Sequence, residues 1–444
     1  MFIVDIAKKI AKSTKNSFLE STRKFVLSVP FWVLIVSIVL LSVSIITTCT
    51  TLGERYDQRM AKYWQNDGGT RYRQMSVFAR GADAAPANAP LVYIDEKTSI
   101  CAQDVSLIRN SIQSAVNSTL ANSGSNKKPD TNGEPSGWTD CYSTSFTTGI
   151  VYTESFATGD GETNTGTANV DVSADCQVVA VGGNFRAFHP FEFLSGGFLP
   201  VQVSDQNQIV INDALAWKLF FSYDVAGEQV TMLGETYTII GVVRETEGSV
   251  DETVGTTDYR VYMYFSKVEN LLAAGFFGGE GAGGGEGEEG IDASSAAKLA
   301  ITCYEALIPE AVTGVARTDF IGALPSYTAS DPQVYVVDNT SRFLVNKVYE
   351  SVIPLGELDD RIEGYSLPYW ERAAILATEK LFFCYIGILL GAVLLVVAIV
   401  MLLLKARKFS NENGSSEDET DDLDSGSRKK EFVRSVTIDD TIFK

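Results

Sequence analysis

The sequence is poor in the side chains that do chemistry. Its 444 residues include a single histidine, His189, so a histidine-rich zinc centre and Ser-His-Asp catalysis are both disfavoured. There is no C-x-x-C, no G-x-x-x-x-G-K-[ST] phosphate loop, no G-x-S-x-G elbow, no H-E-x-x-H and no dinucleotide fingerprint. The D-x-[DN]-x-[DN]-G spacing of a calcium loop is also missing. Acidic pairs such as Glu288-Glu289 and Asp359-Asp360 sit in glycine-rich or polar surroundings and read as solvated surface. The expectation is a chain that is not an enzyme, with no catalytic residues, no cofactor and no metal site.

Positive charge is also scarce. Lys and Arg number 36 against 56 Asp and Glu, a formal charge of −20. Two stretches lack charge altogether, Phe31–Thr50 and Leu381–Leu404. Each is long enough to cross a hydrocarbon core of about 30 Å as a helix. A cleaved signal peptide is the alternative for the first, but it lies late, its apolar run is long, and no A-x-A site follows. Lys8, Lys9, Lys12, Lys15, Arg23 and Lys24 precede the first run, and Lys405, Arg407 and Lys408 follow the second. The positive-inside rule then predicts a two-span plasma-membrane protein with both termini cytoplasmic and residues 51–380 outside. The outer region is strongly anionic, which excludes nucleic acid as a partner; the lipid bilayer is one.

Six cysteines are present. Cys49 and Cys384 fall in the apolar runs, while Cys101, Cys141, Cys176 and Cys303 lie outside. An even number in an oxidising compartment allows two disulfides, in three connectivities that spacing does not separate.

The layout read along the chain is as follows. Residues 1–30 form a basic amphipathic segment on the inner membrane surface, with Ile3, Ile6, Ile10, Phe18, Phe25 and Val26 on one face. Residues 31–50 are the first span, in which Ser37, Ser42 and Ser44 are expected to line a helix–helix contact. Residues 51–85 read as a stalk helix and linker. Residues 86–121 and 296–355 read as a split α/β subdomain, with a helical stripe at Val105, Ile108, Ile112, Val116 and Leu120. A β-rich subdomain, 138–268, is inserted into it. Residues 276–290 (FFGGEGAGGGEGEEG) read as a disordered loop. A second stalk, 368–380, begins at Pro368 and runs into the second span, 381–404. An acidic cytoplasmic tail, 405–444, closes the layout. The fold class expected is membrane α+β, with two transmembrane helices flanking a large extracytoplasmic domain.

The most informative stretch is Cys176–Val243. Gln177–Val181 is a β-rich run ended by Gly182-Gly183. Phe188–Leu199 is aromatic and turns at Gly196-Gly197. Ile209–Ile211 is a strand, and Asn212 or Asp213 caps a helix, Ala214–Phe221. Val230–Leu233 and Tyr237–Val243 form a hairpin turning at Gly234-Glu235. Phe188, Phe191, Phe193 and Phe198 are expected in the core and His189 at its rim.

Three blocks here resemble the MacB-like periplasmic core domain of MacB/FtsX-type ABC transporter permeases. Gly182, Phe188, Leu194, Gly197 and Phe198 match the first block. Ile209, Val210, Ile211, Asn212, Ala216, Leu219 and Phe220 match the second. Gly227, Val230, Gly234, Tyr237, Ile239, Ile240, Gly241, Val242 and Val243 match the third. The usual arginine between glycine and phenylalanine is absent before Phe198. Gly182, Phe188, Gly197, Asn212, Leu219, Phe220, Gly227, Gly234, Tyr237 and Gly241 are thereby marked as fold-defining rather than reactive.

The resemblance implies that the split subdomain is porter-like. It also implies a membrane subunit that relays conformational change from a separate cytoplasmic ATPase to an outer domain, for export or envelope processes. Such permeases have four spans. A chain with two implies a variant lacking the last two, working as a homo- or hetero-oligomer or beside a full four-span permease. The competing expectation is a scaffold, sensor or adhesion protein that keeps the outer domain without the motor.

Overall fold

A computed structural model describes residues 28–64, 71–80, 88–93, 99–122, 137–158, 166–201, 205–245, 248, 250–254, 258–277, 297–330, 332–353 and 363–417. Residues 1–27 of the expected inner-surface segment, Gly278–Gly290 of the glycine-rich loop and the tail beyond residue 417 lie outside the described residues. The rest divides into two compact units, one from Met1–Ser44 and Ile386–Lys444, the other Ile45–Tyr385.

The first unit is a pair of apolar helix segments. They belong to α1 (Val29–Glu54) and to the last helix, Tyr369–Glu417, both long and apolar enough to cross a membrane. Val36, Val39, Leu389, Val393 and Val396 are exposed, as lipid-facing side chains are. Ser37, Ser44 and Ala398 are buried. A methyl group added at Gly387 would overlap Ser44 Oγ, and one at Gly391 would come 2.8 Å from Leu41 Cγ. Gly387 and Gly391 thus form a G-x-x-x-G notch that lets the two helices approach closely. Of the serines expected at a helix contact, Ser44 faces this notch, whereas Ser42 is exposed. The last helix does not stop at Leu404, where the apolar run ends. It continues into the segment read as tail, because Lys405, Ala406, Arg407 and Lys408 are all good helix formers.

The second unit is built on one sheet. Its strands are β1 (Arg71–Phe78), β3 (Thr139–Thr158), β4 (Gly166–Gly183), β5 (Glu192–Gly196), β6 (Gln208–Asn212), β7 (Gln229–Met232), β8 (Glu235–Arg244), β9 (Arg260–Tyr264), β11 (Cys303–Glu310) and β12 (Tyr335–Asp338). Two more, β2 (Ile100–Cys101) and β10 (Ala300–Ile301), pair separately. The order is β12-β1-β11-β3-β4-β9-β6-β8-β5, with β7 bridging β3 and β8. Pairs β4/β9 and β6/β8 are parallel and the others antiparallel. The longer helices that remain are α2 (Ala102–Asn122), α3 (Asp213–Phe220), α4 (Phe265–Ala273), α5 (Val315–Ala323), α6 (Val345–Val352) and the final α7 (Tyr369–Glu417), beside the single turns Met60–Tyr63 and Asp251–Val254.

Two expectations about layout are corrected here. The β-rich region is not a separate inserted subdomain, because β3 pairs directly with β11 and joins both parts into one ladder. Residues 71–78 are not linker. They form a strand held on both sides, from Arg71 opposite Glu310 to Phe78 opposite Cys303 on one edge, and beside β12 on the other. Charge hid this strand, since Arg73 needs Glu310 and Asp338, far away in sequence, to make it compatible with a sheet interior.

Side chains alternate across the sheet with period two. Val178 and Ala180 of β4, Ile209 and Ile211 of β6, Val261 and Met263 of β9, and Tyr304 and Ala306 of β11 enter the larger core, packed under α2, α3, α4 and α5. Val179, Val181, Val210, Tyr262, Tyr264, Cys303 and Leu307 face the other way, into an aromatic core with Phe185, Phe188 and Trp370.

The hairpin turns at Leu233-Gly234, one residue earlier than expected. Both have positive φ, 51° and 70°, the pairing of a type I′ turn. At the β5/β8 edge a Cβ on Gly196 would overlap the Ile240 carbonyl, and one on Gly241 would overlap Gly197. Gly241→Ala is therefore expected to cost about 3 kcal/mol or more. Gly322→Ala in α5, with open space around it, should cost nothing and gain up to about 1 kcal/mol. Denaturant unfolding of the detergent-purified chain reads both. For the first unit, Ser44→Cys/Gly387→Cys in a background lacking Cys49 and Cys384 should form an intrachain disulfide on oxidation. The outward-facing pair Val36→Cys/Leu389→Cys should not; equal gel shifts would refute the notch.

Candidate functional site

The residues marked as fold-defining gather at no single point, and Gly197 has open space around it. Asn212 caps α3, its Oδ1 accepting from Leu215 N at 3.1 Å and from Arg260 N at 3.0 Å. Its Nδ2 donates to the Asp258 carbonyl at 2.8 Å. Leu219 is in the larger core, and the Phe220 ring packs at a tilt against Tyr152. Phe188 and Tyr237 are fully buried, and burial raises the Tyr237 phenol. Gly227 has φ 103° and donates to Ile239 O at 2.7 Å. A Cβ on Gly182 would overlap the Tyr142 ring.

The four outer cysteines are free thiols, which corrects the expected disulfides. Cys176 faces the larger core and Cys141 and Cys303 the aromatic one, while Cys101 lies in the β2/β10 ribbon. Cys141 sits opposite Glu305 and Cys303 opposite Ser143, so the two thiols occupy diagonal positions. Diagonal neighbours lie roughly 7–8 Å apart, beyond disulfide reach. Burial raises both thiols well above their ordinary range, and the Glu305 carboxylate adds to it.

What does converge is a set of buried charges on the aromatic face, where the C-terminal end of α1 and the first turns of α7 meet the sheet. Arg55 forms an ion pair with Asp251; both are almost fully buried. Arg342 Nη1 reaches Glu371 Oε2 at 2.7 Å. Gln58 Nε2 donates to the Trp370 carbonyl at 3.3 Å, and Gln74 Nε2 to the Asp57 carbonyl at 2.8 Å. Arg260 pairs with Glu245, which also accepts from Tyr262 Oη at 2.6 Å. The Arg260 guanidinium lies 3.9 Å from the centre of the Tyr369 ring.

At the middle stands His189. The expectation places it at a rim, but it is 5% exposed and packed against the rings of Phe185 and Trp370. Its Nε2 is 2.7 Å from Glu305 Oε2 and its Nδ1 4.0 Å from Asp57 Oδ2. Glu305 Oε1 accepts from Ser76 Oγ at 2.7 Å, and Ser76 accepts from Asn339 Nδ2 at 2.7 Å.

Burial pushes the Asp57 carboxyl up, against the pull of Arg55 and His189. Burial likewise raises Asp251 against Arg55, and Glu245 against Arg260 and Tyr262. Burial alone would lower Arg342, but the Glu371 carboxylate more than offsets it. Among the described residues, the cavity beside Asp57 and His189 at its centre has room for about one water. What the arrangement does is tie the two helix ends by matched charges to the segments after β8 and β12, with Tyr369 also against Arg260 and Tyr262 of β9.

Sequence reading missed this junction because its members come from residues 55–76, 189, 245–262, 305, 339–342 and 369–371, with no shared spacing. The one available signal was a charged side chain standing alone in an otherwise apolar strand, as Arg260 does in β9.

The model of the MacB-like periplasmic core domain matches residues 32–282. Among solved structures, the extracellular domain of the noncanonic ABC-type transporter YknZ from Gram-positive bacteria is 13% identical, with a TM-score of 0.32, covering 60% of this chain and 100% of that one. The periplasmic region of MacB from Actinobacillus actinomycetemcomitans is 13% identical, with a TM-score of 0.33, covering 62% and 92%. At these values neither likeness carries an argument. No curated protein matches. The match to the core-domain family takes in more than half of the residues, including all three blocks and strands β1 to β9, and the chain belongs to the MacB-like periplasmic core domain family.

Proposed function

We propose that this chain is a membrane subunit of an ABC transporter-type system, relaying conformational change from a separate cytoplasmic ATPase to its outer head. In this reading both termini are cytoplasmic and residues 51–380 lie outside. The ATPase acts on this chain or on an associated four-span permease, and the working unit is an oligomer. The work done outside is export or an envelope process, with no bond chemistry in this chain.

The observation that supports the relay is the pair of buried salt bridges at the helix ends. Arg55 at the end of α1 is paired to Asp251, and Glu371 at the start of α7 is paired to Arg342. Sliding either helix by one residue would strand a charge in the interior, at a cost of about 3–5 kcal/mol. The helix ends and the sheet therefore move as one body, which is what a relay requires. Leu52, Phe343, Val348, Val352, Leu381, Phe382 and Tyr385 add an apolar clasp around the same segments.

Arg342→Ala should lower unfolding free energy by about 3–5 kcal/mol, measured on the detergent-purified chain, because Glu371 is left buried and unpaired. A loss below about 1 kcal/mol would remove the anchor from the reading. Topology is tested with a membrane-impermeant maleimide on intact cells. The exposed Val201→Cys should label, and Lys408→Cys should label only after permeabilisation; the reverse pattern ends the proposal. Affinity purification should recover an ATPase. Recovery of envelope proteins alone would favour a scaffold that keeps the head without the motor.

A further inference from the structure

We propose that Cys141, His189 and Glu305 bind a single divalent cation of borderline softness, with Zn²⁺ as the ion that fits. This stands apart from the transport reading and does not rest on it. It also reverses the expectation, drawn from the lone histidine, that no metal site exists.

Three different donors converge from three places in the chain. Cys141 comes from β3, Glu305 from β11, and His189 from the turn that leads into β5. Sγ, the imidazole nitrogen and a carboxylate oxygen all lie within 4.8 Å of one another, and all three residues are buried. Nε2 to Oε2 is 2.7 Å, and Sγ to Oε2 is 3.9 Å. A tetrahedral zinc with ordinary bond lengths sets nitrogen and oxygen about 3.4 Å apart, and sulfur and oxygen about 3.6 Å apart. Neither separation needs to change by as much as about 1 Å. The mixed sulfur, nitrogen and oxygen set suits zinc, whereas calcium and magnesium take oxygen ligands.

The surroundings orient the ligands as outer residues do around known metals. Ser76 holds Glu305 Oε1, and Asn339 holds Ser76, so Oε2 is the oxygen turned toward His189. Asp57 faces His189 Nδ1; a proton there leaves the Nε2 lone pair pointing at Glu305. Two lone pairs 2.7 Å apart require a proton or a cation between them. Asp57 Oδ1 is itself buried with no hydrogen-bond partner. Beside it a small cavity, lined by Arg55, Asp57, His189, Pro190 and Trp370, offers about 20 Å³ to water centres, room for about one water.

Binding is proton-balanced. As the metal–sulfur bond forms, the Cys141 S–H bond breaks and its proton leaves to solvent. The proton shared by His189 and Glu305 leaves with it, so affinity rises with pH.

The test is a Co²⁺ titration of the full chain, purified in detergent and stripped with chelator. The expected result is about one Co²⁺ per chain, with visible bands of tetrahedral intensity and a near-ultraviolet thiolate-to-cobalt band, all abolished by one equivalent of Zn²⁺. Cys141→Ser should lose the near-ultraviolet band. Ser76→Ala, which touches no metal, should weaken Zn²⁺ binding about 10–100-fold. Should Cys141→Ser fail to fold, the wild-type spectrum decides alone. Weak bands without the thiolate feature, meaning ions held by surface carboxylates only, would overturn the proposal, as would a Cys141→Ser spectrum identical to wild type.

Discussion

A charge buried in protein must meet its opposite there, and the head of this chain is arranged around that requirement. Arg55, Arg260 and Arg342 are each sunk in the interior on the side of the sheet that receives the two long helices, and each has a carboxylate to meet it. Replacing such pairs with well-packed apolar groups is often neutral or stabilising, so their presence is weak support for a role in stability. What they supply is register. An apolar clasp such as Val348 against Leu381 tolerates sliding by a residue, but an arginine paired to a buried carboxylate does not.

The sheet makes this possible by having two differently built faces. Toward α2, α3, α4 and α5 it presents aliphatic side chains that pack as an ordinary core. Toward the helix ends it presents rings and polar groups, with Phe185, Phe191, Phe198 and Tyr262 close together and Glu305 and His189 set among them. At one edge, β5 and β8 approach so closely that no side chain fits at Gly196 or Gly241. They shape the sheet's margin, while the polar junction occupies its middle.

The proposed ion would sit where β3, β11 and the turn before β5 come together. It would add a crosslink in a region already held by charge. The thiols nearby are reduced and diagonal rather than bonded, so the stapling expected from disulfides in an outer domain is absent from this face.

Much of the architecture is written locally. The two apolar runs, the alternation of Tyr237–Val243, the capping Asn212 and the helical stripe from Val105 to Val116 each depend on neighbours a few residues away, and each was legible. Gly387 and Gly391, four residues apart in an apolar run, are a local signal of the same kind. Tertiary structure alone decided that β1 is a strand, that β3 joins both halves into one sheet, and that His189 is buried beside Glu305 and Cys141. Each of these turns on contacts spanning more than a hundred residues, such as Arg73 with Glu310 and His189 with Glu305. A charged side chain gives no local sign that its partner waits on a distant strand, because the energy that permits its burial exists only once both have been brought together.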